Sequence, residues 1–258
     1  MQLFNGGYIG RNNPYVPNKI TFVGSRSFSF NTTASSHTVT LTSLSNGINF
    51  AAKSGDLVII SYASGRLTDI DMAATGYTEV ADLYGNSTFD INLWVGYKYL
   101  TSTDTQATIT ASATSTTAGS VAIVNVLRGV DSTTPIDATT VTVTSTGSGR
   151  PNPGAITPVT KDALIFVAGA GGGQSVSQSY NTPDLLKFNT NWGLSTSSAI
   201  ILTGIRYWNG SGAFDPGAFT AGGTDAATRA SAAATLAIRP TYSGSKGIFN
   251  LNAEAYGV

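Results

Sequence analysis

The sequence predicts an all-β protein, a sandwich or barrel of many short strands. Three observations predict it. Ser and Thr supply 64 of the 258 residues, whereas Glu occurs only twice, at Glu79 and Glu254, so strong helix formers are scarce. Apolar stretches either alternate with Thr at period two or run unbroken over strand length. Gly-, Asn- and Pro-bearing turns separate them.

Residues 1–24 carry Gly6-Gly7, Gly10, Asn12-Asn13-Pro14 and Pro17, a turn-rich composition that argues against a core element. They also hold Phe4, Tyr8 and Tyr15, more apolar character than a disordered tail carries. This segment is expected to be a docking arm, laid either on its own domain or on a neighbour. The first alternating strand is His37–Leu44, HTVTLTSL, in which Val39 and Leu41 interleave with Thr. An unbroken apolar run comes next at 57–60, inside GDLVIISY. Residues 91–100, INLWVGYKYL, place Ile91, Leu93, Val95, Tyr97 and Tyr99 on one face. Further strands are expected at 108–113, 121–127 and 139–144. Residues 145–158, STGSGRPNPGAITP, read as a loop and as the one candidate linker.

The chain beyond that loop echoes the chain before it. Gly55-Asp56-Leu57-Val58-Ile59 matches Asp162-Ala163-Leu164-Ile165-Phe166, and Gly96-Tyr97-Lys98-Tyr99 matches Gly204-Ile205-Arg206-Tyr207. Val121–Arg128 matches Ala232–Arg239. The offsets drift from 107 to 111 residues, as loop insertions between equivalent strands would make them. The halves, about 50–130 and 160–240, form either two small sandwiches or interleaved strands of one larger jelly roll. The short linker and the low charge content favour one domain over 25–240. The end of the chain, 241–258, carries Ile248, Phe249 and Tyr256 after the glycine-rich turn SGSKG. It is expected to be a second docking arm.

Composition excludes more chemistry than it suggests. The chain has no Cys, a single His, 14 basic and 14 acidic residues, and only 11% charged residues. Disulfides, thiolate metal sites and multi-histidine metal centres are therefore excluded. Zero net charge gives no basic surface for nucleic acid, and no segment approaches the ~20 apolar residues of a membrane span. His37 sits in an alternating Thr strand with no Gly-x-Ser-x-Gly in the chain, so it is expected at a strand end on the surface. Glu79 and Asp82 are the one grouped carboxylate pair with a Glu; they are expected beside a turn, facing solvent. Asp69 with Asp71, and Asp82 with Asn86 and Asp90, are loose oxygen clusters that lack the calcium-loop pattern. Gly169–Gly173 comes after a strand without a Lys-Ser/Thr pair, and is expected to be a flexible loop. The sequons at Asn31, Asn86 and Asn209 carry little weight without a secretory signal.

Aromatic residues remain. Trp192, Tyr180 and Trp208 are the candidates for a glycan-binding face, because rings stack on the apolar faces of sugars. Most other aromatics at alternating positions are expected in the core. Lys98 and Arg206 share an outward position on the paired strands, at a solvated edge or an interface.

The runs GDLVIISYASGR, GYTEV, LWVGYKYLTSTDTQATIT and SVAIVNVLRGVDSTTPID resemble a family of β-sandwich domains found in bacteriophage virion proteins and some bacterial surface proteins. DALIFVAGAGGG and ASAAATLAIRP resemble that family's closing half, so the resemblance spans roughly 50–240. It implies a jelly-roll-like sandwich with a structural or adhesive role, and brings no catalytic residues or cofactor. The opening MQLFNGGYIGRNN lacks the basic cap and apolar run of a secretory signal, which favours the virion member, made in the host cytoplasm. The expected function is thus a non-enzymatic virion structural protein, in the tail or baseplate or decorating the capsid. Its expected partners are other virion proteins and other copies of itself, in a closed symmetry such as a trimer. The alternatives are a receptor-binding, lectin-like module for a host-surface glycan and a glycan-cleaving enzyme using Glu79.

Overall fold

The computed structural model describes residues 19–241 except 31–33, 66–67, 113–118, 148, 173–179, 182–184, 193–198, 209, 211 and 222–228; for 180–181, 187–192 and 221 it describes the backbone alone. The described residues form fifteen strands and no helix. In the first half these are β1 (Thr21–Phe30), β2 (Ser36–Thr40), β3 (Asp56–Ser64), β4 (Met72–Ala74), β5 (Thr78–Gly85), β6 (Ile91–Tyr99), β7 (Gln106–Ala111) and β8 (Ser120–Arg128). In the second they are β9 (Ile136–Ser145), β10 (Leu164–Gly172), β11 (Tyr180–Asn181), β12 (Leu186–Trp192), β13 (Ala199–Tyr207), β14 (Thr220–Ala221) and β15 (Ser231–Ile238). Every pairing between named strands is antiparallel.

Each half builds its own five-stranded sheet. The orders are β1-β8-β3-β6-β5 and, read from the equivalent edge, β9-β15-β10-β13-β12. The two orders are the same once β1, β3, β5, β6 and β8 are matched to β9, β10, β12, β13 and β15. Even the edge irregularity recurs. The β1–β8 register shifts between Phe22 and Gly24, and the β9–β15 register shifts across Asp137. Strands of the two halves do not interleave within either sheet. The junction between halves is Gly129–Pro135 rather than 145–158, because β9 pairs with β15 and so belongs to the second sheet.

The layers explain why so many strands read as unbroken apolar runs. All nine positions of β3 and of β10, and all eight of β15, are buried. An antiparallel sheet with one wet face would alternate; these sheets are covered on both. Leu57, Ile59 and Ile123 of the first sheet meet Phe166, Ile201 and Leu236 of the second in a shared core. The opposite face of the first sheet, with Val58, Ile60 and Trp94, packs on Val39, Met72 and Ile109 of a three-stranded sheet ordered β2-β7-β4. The opposite face of the second sheet, with Ile165, Val167 and Leu202, is covered by Ile156, Leu185 and Phe219. In the shared core β1 faces β12, β8 faces β13, β6 faces β15 and β5 faces β9. Exchanging the halves maps these contacts onto one another, so the two sheets meet about an internal pseudo-two-fold axis.

Three further expectations change. Residues 20–24 belong to the core and not to an arm: Ile20 and Val23 are fully buried, and β1 pairs with β8 from Thr21 onward. Gly169–Gly172 is a buried strand rather than a flexible loop. Its glycines admit close neighbours: a Cβ on Gly169 would lie 2.3 Å from the Phe219 ring, and one on Gly172 2.3 Å from the Asp90 carbonyl oxygen. His37 is buried rather than superficial, stacked on Phe30 at 4.3 Å with Nδ1 2.9 Å from the Tyr62 hydroxyl.

Candidate functional site

The strands give the molecule two unlike ends. At one end Thr21 and Asp56 both pair with Arg128, Leu164 pairs with Tyr207 and Ile238, and Tyr207 donates its hydroxyl to the Ile20 carbonyl at 2.6 Å. Both boundaries of the described chain lie here. The Lys19 carbonyl packs beside Gly129, and the Thr241 N–H donates to the Gly129 carbonyl at 2.8 Å. Gly129 has φ of 81°, a left-handed conformation that favours glycine, so this meeting point is built into the turn after β8.

An ion pair locks that turn in each half. The Arg128 guanidinium donates to both oxygens of Asp56, Nε at 2.7 Å and Nη2 at 3.0 Å, and the Asp56 carboxylate is fully buried. The carboxylate raises the Arg128 pKa by accepting those hydrogen bonds, against the opposing effect of burial. The matching Arg239 finds no acid at the position of Asp56, which is Ala163. Its Nε donates instead to Asp137 on β9 at 3.0 Å. Burial pushes the Asp137 carboxyl upward, but donors from Thr160, Val159 and Arg239 together hold it below the usual carboxylate range. The echo of Arg128 in Arg239 was visible in the sequence; the change of counter-ion strand was not.

At the other end the strands of both halves finish level, because the Ala230 N–H donates to the Phe89 carbonyl at 2.9 Å and the Gly172 N–H to the Ala230 carbonyl at 3.1 Å. The sequences that join the strand ends found here read NTTAS, GRLTDID, NSTFD and SATSTTAG in the first half and GQSVSQS, GLSTSS and GGTDAATRA in the second. They are mostly small and polar and contain no Lys. Where described, they are braced from within. Asn92 accepts from the Ile70 N–H at 3.1 Å and donates to the Thr68 carbonyl at 3.0 Å. Asp90 accepts from the Tyr84 hydroxyl and, at 2.6 Å, from the Ser87 N–H. Burial, then the bond to Asp90, pushes the Tyr84 hydroxyl up to about 12.

The loose acidic clusters are thus engaged by protein donors. Asp82 accepts from the Met72 N–H at 2.9 Å; burial raises its pKa to about 6, with Glu79, Asp69 and Asp71 adding to the rise. Glu79 accepts from the Trp94 indole N–H at 3.1 Å. Among the described residues no three His, Cys, Asp or Glu side chains gather where they could hold a metal ion. Lys98 is paired with Asp104 at 2.7 Å, and Arg206 lies 4.8 Å from the Phe214 ring centroid.

The three glycan candidates do not form one site. The backbone places Trp192 at the loop-bearing end, paired with Ala199, and Tyr180 at the start of the strand next after the Gly172 end of β10. Trp208 comes directly after Tyr207, at the end where the chain boundaries meet, and packs into the second-half core. The eight residue steps from Ala199 to Tyr207 along β13 correspond to roughly 27 Å. The arm residues Phe4, Tyr8, Tyr15, Ile248, Phe249 and Tyr256 lie outside the described residues. Comparison with protein-family models, with curated proteins and with solved structures finds no match to the chain.

Proposed function

We propose that the chain is a non-enzymatic structural protein of a bacteriophage virion, a tail or baseplate component or a capsid-surface decoration, held by the segments at its two ends. The observation that carries this reading is polarity: both boundaries of the described chain meet at Gly129, and the strand ends joined by the polar sequences of both halves lie at the opposite end. A particle subunit needs one end for its neighbours and one for the exterior. In this reading Phe4, Tyr8 and Tyr15 of residues 1–18 and Ile248, Phe249 and Tyr256 of residues 242–258 serve as contacts to other virion proteins or other copies. In the same reading each half is a jelly roll. The order β1-β8-β3-β6 facing β2-β7-β4 supports this for the first half, and the repeated order β9-β15-β10-β13 supports it for the second. The resemblance of residues 50–240 to virion β-sandwich domains points the same way.

The test is the mass in solution of the full chain beside residues 19–241. The full chain is expected to assemble and the trimmed chain to remain a folded monomer. Two identical folded monomers would remove self-assembly through the end segments.

A second reading, a receptor-binding module for a host-surface glycan, is favoured by the placement of Trp192 at the loop-bearing end. In that case Trp192→Ala abolishes glycan binding and Trp208→Ala, at the far end, leaves it intact.

A further inference from the structure

The internal symmetry exposes one place where the halves differ. In the first half the chain between β2 and β3 makes an excursion, Ser43–Phe50, closed by a bridge between Thr42 and Ala51. This excursion covers the free edge of β1. Ser25 and Ser45 exchange two backbone hydrogen bonds of 2.8 Å, and the Asn49 N–H donates to the Val23 carbonyl at 3.0 Å. Gly47 is pressed so closely on the edge that a Cβ there would lie 2.2 Å from the Val23 carbonyl oxygen.

Among the described residues of the second half no such excursion pairs with the backbone of β9; the Val159 and Thr160 N–H groups reach only the Asp137 side chain, at 2.6 and 2.8 Å. The chain passes from the Ile156 bridge to β10 through 157–163 alone. Matching β1–β8 to β9–β15 through Arg128 and Arg239 sets Val23 on Asp137 and Gly24 on Ala138, and brings Ser25 level with Thr139-Thr140, where β9 carries a second register shift. A groove of about 680 Å³ lies there, walled by Asp137, Thr139 and Val141 of β9 and by Ile156, Thr157 and Val159 across it. Val159 is 76% exposed. The free edge of β9 carries no Lys, Pro or unpaired charge to deter a pairing strand.

The chain carries a second copy of the covering sequence. Ser-x-Gly-Ile occurs twice, at Ser45-Asn46-Gly47-Ile48 and at Ser245-Lys246-Gly247-Ile248, continued by Asn49-Phe50 and Phe249-Asn250. The described chain ends at Thr241, whose neighbour Pro240 bridges Val130 at the end of the molecule where β9 begins. We propose that the groove beside β9 receives the C-terminal segment Ser245–Asn250, laid antiparallel on the strand as Ser45–Phe50 is laid on β1. Ser245 then pairs with Thr139, and Gly247 takes the close approach that Gly47 makes. This inference does not depend on the virion reading. The copy that donates the segment decides whether it is an internal strap or an assembly element.

The absence of native Cys makes disulfide trapping in the full chain a clean test. The pair Ser25→Cys with Ser45→Cys is the positive control, since directly opposed strand residues lie ~5.5 Å apart at Cα, within disulfide range. Thr139→Cys with Ser245→Cys is expected to cross-link to within about twofold of the control. A cross-linked monomer places the donor in the same chain and a cross-linked dimer in a neighbour; either supports the proposal. Adding Gly247→Val, or Val159→Asp at the exposed groove wall, is expected to lower the yield at least tenfold. No cross-link to Thr139 under conditions that close the control pair, or a yield unchanged by both added substitutions, overturns it.

Discussion

Thr203→Val probes how the two sheets recognise each other. Asn125 on β8 and Thr203 on β13 are both fully buried in the shared core, and the Asn125 amide nitrogen donates to the Thr203 hydroxyl at 3.0 Å. The Asn125 amide oxygen has no hydrogen-bond partner. Valine keeps the shape of threonine and removes the acceptor, leaving the whole amide unpaired in an apolar layer. An unmade buried hydrogen bond costs ~1–3 kcal/mol, so a loss of about 2 kcal/mol is expected. The internal symmetry supplies the compensating change. Strand matching sets Asn125 on Leu236 and Thr203 on Val95, so the related site is already an apolar pair. Asn125→Leu combined with Thr203→Val copies that pair. It is expected to restore stability to within ~1 kcal/mol of the native chain or above it, since removing both partners leaves nothing unsatisfied. Equilibrium urea unfolding monitored by tryptophan fluorescence reads both variants as shifts of the midpoint at constant slope. A loss below ~0.5 kcal/mol for Thr203→Val, or a double variant as unstable as the sum of the single changes, would refute the reasoning.

The ion pair and the acidic strand give two other expected outcomes. Arg128→Ala strands the fully buried Asp56 carboxylate and is expected to cost ~3 kcal/mol in the same unfolding assay; a change near zero would show that Asp56 is satisfied without it. Asp82 titrates near 6 in the folded chain against an ordinary value of 3.8, so the fold favours its protonated form. Its contribution to stability is fully present below about pH 4 and is lost as pH rises toward 6. Asp82→Asn is therefore expected to gain on the native chain between pH 4 and pH 7, by ~1 kcal/mol after discounting for solvent screening. A difference equal at the two pH values would refute it.

The strongest strands were legible because they are buried on both faces. Residues 57–60, 91–100 and 121–127 stand out as apolar runs, and each lies in a sheet covered on two sides. β1 was not legible, because TFVGSRSFSF is interrupted by the bulge at Val23 and by Arg26, whose guanidinium donates to Thr40 at 2.6 Å. His37 was misplaced because alternation locates a residue on a face without saying whether a second layer covers that face. The glycan candidates were judged by residue type alone, and only strand order shows that Trp192 and Trp208 sit at opposite ends of β13.

The sequence by itself determined the all-β class and pointed to two similar halves, since strand periodicity and matched runs are local properties that survive without coordinates. The tertiary structure decided how the duplicate copies use each other. Which faces are covered, which strand supplies the acid for Arg239 and where the boundaries of the described chain meet all depend on contacts between residues on different strands, some more than a hundred positions apart. No local pattern encodes those contacts, because burial of the same apolar surface is satisfied equally well by interleaving strands or by packing sheet on sheet.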